Sequence, residues 1–302
     1  MMYRILSASK DAYITNKIIN NSFRATDANA GQAGTLDLFK IYDETPLSGS
    51  EEKQKEISRL LLKFDIAEIT DMQTKGKIDI NSNTFKCHVK LHDVYGGQTT
   101  PSNFDLILFP LAKNFDEGSG YDISYFRDID AVNFITASQT GGVASIWDLP
   151  GAKASGSLGD SNIDVIVSGT LSGPEGALNY SLSPAQYFEK GEEDLLIDVT
   201  TIVSGTVSGQ IPDRGFLIAF SGSYEENNKT YFVKRFASRN SSNTAIRPKL
   251  IIKYDDSIQD NHEDFIFDNT GSLYLNNFHF GAPSNILSRE SAAELTVKMQ
   301  WY

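Results

Sequence analysis

The sequence offers one cysteine, Cys87, in 302 residues. No disulfide can form within the chain, and the fold must rest on its apolar core. No run approaches the roughly 18 consecutive apolar residues of a membrane span. The first residues, Met1-Met2-Tyr3-Arg4-Ile5-Leu6, lack the apolar stretch of a signal peptide, so a soluble protein made in a cytoplasm and not associated with a membrane is expected. Basic residues are outnumbered, 27 Lys and Arg against 39 Asp and Glu. The resulting net charge of -12 argues against a nucleic-acid partner, which rewards a basic face. Motifs that carry chemistry are also missing: there is no Cys-x-x-Cys, no His-Glu-x-x-His and no Gly-x-Ser-x-Gly. His88 and His92 share a strand face but stand about 13 Å apart by strand rise, too far to share one metal. His262 and His279 have no His or Cys at ligand spacing. Nothing pairs a nucleophile with a base, and no catalytic residue is assigned.

What is present is alternation. Phe85, Cys87, Val89 and Leu91 fall on one side of a period-2 segment, with Lys86, His88, Lys90 and His92 on the other. In 57–66, Leu60, Leu62, Phe64 and Ile66 oppose Leu61, Lys63 and Asp65. Segment 104–111 is apolar on both faces, as in a strand covered on both sides. Segments 5–15, 35–42, 194–199 and 215–221 also read as strands. In 231–254, two alternating runs flank a Ser/Asn-rich stretch, 238–244, that reads as a surface loop. The first run places Phe232 and Phe236 on one face, and the second places Leu250, Ile252 and Tyr254 on one face. Helical candidates are few and short: 123–134, the turn after Pro184, and 198–203 with Asp198 as its N-cap. The charged stretch 43–55 reads as an exposed loop.

These patterns predict an all-β protein. The expected fold is a jelly-roll-like antiparallel β-sandwich over residues 1–255, with long loops and a few short helices. Residues 256–302 read as an acidic connector and a C-terminal β extension, the possible start of a second domain or a strand that pairs with another chain. The near-repeat Val-Ser-Gly-Thr-Leu-Ser-Gly at 167–173 and Val-Ser-Gly-Thr-Val-Ser-Gly at 203–209 is too short for a solenoid and reads as chance.

Between about 113 and 192 the composition shifts to Gly, Ser and Asp, the mark of long loops that bind partners. Asp116, Glu117 and Asp122 in the Gly-rich turn 116–122 are candidate ligands for Ca²⁺, a hard cation that takes oxygen donors. The alternative is that Glu117 and Asp122 make local hydrogen bonds that shape the loop. Tyr121, Tyr125 and Trp147 are candidates for an aromatic platform toward a glycan or protein partner. Their alternative is to pack the loops onto the sheet.

The order of several short segments carries a resemblance. These are Ser9-Lys10-Asp11-Ala12, Ile57 to Asp65, Phe104 to Leu111, Glu117-Gly-Ser-Gly-Tyr-Asp122, Asn133-Phe134, Trp147, Gly151-Ala152, Asp198-Val-Thr200, and Phe236-Ala-Ser-Arg239 with Arg247-Pro-Lys-Leu250. Over residues 3–255 the chain resembles the DNRLRE-type β-sandwich domain, related to a family of carbohydrate-binding modules. It looks most like the versions in tail, neck and fibre proteins of marine bacteriophages. The resemblance implies a sandwich without catalysis, in a virion component that contacts other virion proteins and copies of itself. A host surface glycan is the alternative ligand, and no cofactor is implied beyond the Ca²⁺ considered above.

Overall fold

The computed structural model describes residues 2–20, 22–46, 53–94, 101–124, 129–255, 278–279 and 282–283. The strands run β1 (Met2–Thr15), β2 (Ile18–Ile19), β3 (Phe23–Arg24), β4 (Thr35–Pro46), β5 (Lys53–Phe64), β6 (Lys86–Leu91) and β7 (Phe104–Pro110). Then come β8 (Thr136–Thr140), β9 (Val143–Ile146), β10 (Ser155–Ser157), β11 (Val165–Gly173), β12 (Gly176–Ser181), β13 (Ala185–Phe188) and β14 (Leu195–Asp198). The set closes with β15 (Phe216–Phe220), β16 (Tyr231–Ala237), β17 (Lys249–Tyr254), β18 (Phe278–His279) and β19 (Ala282–Pro283). Three short helices, α1 (Ala67–Thr74), α2 (Thr200–Val207) and α3 (Gly222–Glu226), join them. None of the described helices is long and apolar enough to cross a membrane.

The expected all-β antiparallel sandwich is what the chain forms, with its sheets nearly closed on one another. The order β13-β7-β15-β5-β1-β17-β6-β14 is continuous because β1 serves both layers. Its first half, Met2–Ser7, pairs with β17, and its second half, Ala8–Thr15, pairs with β5. A register shift between Ala8 and Lys10 marks the bend between the two. β4 and β16 extend the structure from β5.

The main core fills the space between the layers. Leu60, Leu62 and Phe64 of β5, Cys87, Val89 and Leu91 of β6, and Leu250 and Ile252 of β17 meet there. Phe104 stacks on Phe188 at 5.0 Å between centroids and meets Phe220 edge-on at 5.3 Å. A second cluster lies on the other side of β1, β5 and β15, where Leu61, Ile14 and Leu217 are covered by Phe115, Val132 and Trp147. This explains the run Leu60-Leu61-Leu62, which is fully buried although its side chains alternate.

Several expectations are corrected. The stretch 113–192 is loop only in part: the described residues of 113–135 form no helix or strand, and six short strands, β8 to β13, break up 136–188. The described residues of 43–55 are strand: β4 runs to Pro46, β5 starts at Lys53, and Asp43 faces Gln54. No helix forms in the described part of 123–134, and the residues after Pro184 form β13, pairing with β7. α2 begins after Val199. Asp198 ends β14 instead of capping, although its Oδ1 does accept the Thr200 N–H at 2.8 Å. β16 lies on β4, and β17 lies between β1 and β6. A register shift between Tyr231 and Lys234, with Val233 at φ 29°, brings Tyr231 onto the buried side with Lys234 and Phe236. Of the expected C-terminal extension, β18 and β19 pair with each other, and the rest lies outside the described residues.

Candidate functional site

Three residues of the resemblance, Asp11, Glu117 and Arg239, come together in space. Asp11 on β1 is 1% exposed, and its N–H donates to Glu117 Oε1 at 2.8 Å. Arg239, just past β16, grips both Glu117 oxygens, Nη2 reaching Oε2 at 2.6 Å and Nε reaching Oε1. Its N–H donates to Asp11 Oδ2 at 2.5 Å. Beside it, the Ser238 hydroxyl donates to Ala33 O at 2.6 Å. Asn29 donates to Glu117 O and Val132 O, both at 2.8 Å, and its Oδ1 accepts the Gly120 N–H at 2.8 Å. The glycines of 117–120 are set by this approach. A Cβ on Gly120 would lie 2.1 Å from Asn29 O, and Gly118 sits at φ +77°. The stretch 238–244 therefore starts as a buried clamp rather than a surface loop.

The electrostatics of the cluster fit a fastener. A bidentate Arg–carboxylate pair is directional and rigid. Burial pushes the Asp11 carboxyl up to about 7, against the Arg239 N–H bond that draws it down. Asp11 Oδ1 is buried without a hydrogen-bond partner. A protonated Asp11 removes the second negative charge that would otherwise face Arg239 beside Glu117.

The predicted ligand set is divided among other tasks. Glu117 is held by Arg239, a partner distant in sequence, rather than by local bonds. Asp116 Oδ2 accepts the Gln139 N–H at 2.9 Å, and Oδ1 lies 3.8 Å from Lys10 Nζ. Asp122 is exposed and accepts the Ser124 N–H at 2.9 Å. Among the described residues no three His, Cys, Asp or Glu side chains gather at ligand distance.

Trp147 is withdrawn from the expected aromatic platform. Trp147 is 2% exposed, packs in the second core cluster and donates Nε1–H to Asn133 O at 3.0 Å. A buried indole presents no face to a sugar, so the packing alternative holds for Trp147. The loop around it is caged by Asp164, which accepts the N–H groups of Asp148, Leu149 and Ala154 at 2.7–3.1 Å. Tyr121 is 65% exposed, and Tyr125 lies outside the described residues.

Sequence reasoning missed three further fasteners. Lys234 is fully buried, its Nζ donating to Asp93 Oδ1 at 2.5 Å and to Gly191 O and Glu193 O at 2.8 Å. The ammonium also faces the rings of Phe236 and Phe188 at 5.0 and 5.3 Å. Lys40 is likewise buried and donates to Tyr224 O at 2.8 Å and to Asn227. Arg59 forks onto Glu225 at 3.0 and 2.5 Å and reaches Gly151 O at 2.6 Å. The only signal in sequence was a lysine or arginine at an inward strand position, such as Lys234 between Phe232 and Phe236.

An open groove of about 800 Å³ lies where β11 and β12 meet α2, lined by Ser82, Asn83, Tyr180, Thr201, Ser204 and Gln210 among others. Parts of both copies of the Val-Ser-Gly-Thr near-repeat line it, one as strand β11 and one as helix α2. Its walls mix hydroxyls and amides with apolar side chains such as Leu171 and Leu178, and Lys86 and Glu175 are the charged side chains among its lining residues.

No protein-family model matches the chain, and no curated protein matches it.

Proposed function

We propose that the protein is a non-enzymatic structural component of a bacteriophage virion, at the tail, neck or fibre, that assembles with other virion proteins and with copies of itself. The observation that carries the reading is the Asp11–Glu117–Arg239 clamp. Three residues of the segments that resemble the DNRLRE-type domain of phage proteins meet there in a packed fastener, with both Glu117 oxygens held. Arg59, Lys40, Lys234 and Asp164 are spent in the same way, on holding loops. A disulfide-free scaffold stiffened by buried ion pairs suits a part repeated around a symmetric particle, where weak contacts add by multivalency. Such a chain is made in the host cytoplasm and ends in the virion. The test is mass spectrometry of particles purified from a producing host: the reading expects this chain in a fixed ratio to the other particle proteins.

Carbohydrate binding is the second reading, favoured by the groove. Hydroxyls and amides interspersed with apolar side chains, with Tyr180 among them, match an uncharged polyol, which offers hydroxyls to hydrogen-bond and a C–H face to stack. Glycan-array binding by the purified chain that is lost in Tyr180→Ala supports it. Binding unaffected by Tyr180→Ala removes the groove from consideration.

A further inference from the structure

The two sheet layers differ in what lies on their outer sides. The side of β1, β5 and β15 away from the main core is covered by Phe115, Val132 and Trp147. The side of β1-β17-β6-β14 away from that core stays exposed or half-buried. Its outward residues form three rows in register. They read Tyr3–Lys253–Lys86, then Ile5–Ile251–His88–Asp198, then Ser7–Lys249–Lys90–Leu196.

Two of these rows set like charges face to face, although the Lys249 ammonium also donates to Ala245 O at 2.6 Å. Lys253 lies directly opposite Lys86, and Lys249 directly opposite Lys90, across the β17–β6 ladder. Like charges so placed repel and destabilise the pairing. Asp194, 3.4 Å from Lys90 and 3.1 Å from His92, and Asp198, opposite His88, offset this in part. Yet the chain has a net charge of -12, and four lysines are concentrated here. Tyr3, Ile5 and Leu196 beside them are 63%, 54% and 51% exposed.

We propose that this face docks an acidic polypeptide segment. The inference rests on the assembly reading for the existence of a partner and names that partner's chemistry. The four lysines mark a rectangle about 13 Å along the strands and about 5 Å across them, with Ile251 and His88 in the middle. An extended peptide shows every second side chain on one face, so carboxylates four residues apart span the same distance of about 13 Å. Apolar side chains among those carboxylates meet Tyr3, Ile5 and Leu196. A nucleic acid offers a dense phosphate row with no apolar match, and the acidic bulk of the chain repels its length.

The test is fluorescence anisotropy of a labelled Glu-Ser-Val-Ser-Glu-Ser-Val peptide, which when extended sets Glu and Val on one face with the carboxylates four residues apart, titrated with the full chain at low and high salt. Saturable binding that weakens with salt is expected, and Lys253→Glu weakens it by about tenfold or more. The same substitution sets Glu opposite Lys86, so the thermal midpoint holds or rises, and lost binding cannot be laid to unfolding. Three results overturn the inference: no saturable binding, binding unchanged in Lys253→Glu, or tighter binding of a single-stranded DNA of equal charge. If the peptide fails to bind while the chain still enters particles, the docking face is lost and the assembly reading stands.

Discussion

Arg239 closes a two-pronged ion pair on Glu117, a residue 122 positions earlier in the chain. That contact joins the end of β16 to the Gly-rich turn and, through the Arg239 N–H, to Asp11 on β1. Three distant stretches are thereby fixed at one point. Removing one side strands the other: Glu117 is about one-tenth exposed, and an uncompensated buried carboxylate is expensive. Arg239→Ala is expected to destabilise the fold by about 3 kcal/mol in urea unfolding. Arg239→Lys recovers only part of this, because a single ammonium cannot match the fork.

Asp11 gives the fold a pH dependence. Its carboxyl titrates near 7 when folded and near 3.8 when unfolded, so between those values the folded chain holds the extra proton. The contribution is fully present below about 4, declines as pH rises, and is lost above about 7. The shift of roughly three units corresponds to about 4 kcal/mol. Unfolding at pH 5 and pH 8 should show the protein more stable at pH 5, and Asp11→Asn should flatten that difference.

Trp147 and Tyr121 separate packing from display. Trp147→Ala empties a site in the second core cluster and is expected to lower stability by about 3–5 kcal/mol. Tyr121→Ala, at an exposed position, should stay within about 0.5 kcal/mol. Equal, small effects in thermal unfolding would contradict the burial of Trp147.

The near-repeat offers a test of context. Val203-Ser-Gly-Thr-Val207 is helix, while the matching Val167-Ser-Gly-Thr-Leu171 is strand. Exchanging the one differing residue, with Leu171→Val and Val207→Leu together, should cost less than about 1.5 kcal/mol and leave the circular dichroism spectrum unchanged. A change in helix content would show that local sequence, not packing, chooses between the two forms.

These two segments also mark the limit of what the sequence discloses. Period-2 alternation made β6 legible, because one face of it meets the main core, whereas β7 was legible as an apolar run, although its second face is only half-buried. Leu61 was assigned to the face opposite Leu60 and Leu62, but nothing local disclosed the second apolar layer that covers it. α1 escaped notice because only Ile69 in it is buried, too little for a helical stripe. The bulge at Val233 moved Tyr231 inward, and no propensity marks that site. At the candidate site, Glu117 was legible as unusual, but its partner was not. Ion pairs between residues far apart in the chain follow from topology, and alternation says nothing about which loop ends meet.

The central claim is that this β scaffold serves assembly rather than catalysis. Its most direct test is imaging of whatever the full chain co-purifies with from a producing host, with the isolated chain assayed alongside for polysaccharide cleavage. The account predicts a regular particle that holds the chain at fixed positions, and no cleavage over time. A compact, partnerless monomer that turns over a polysaccharide would contradict it.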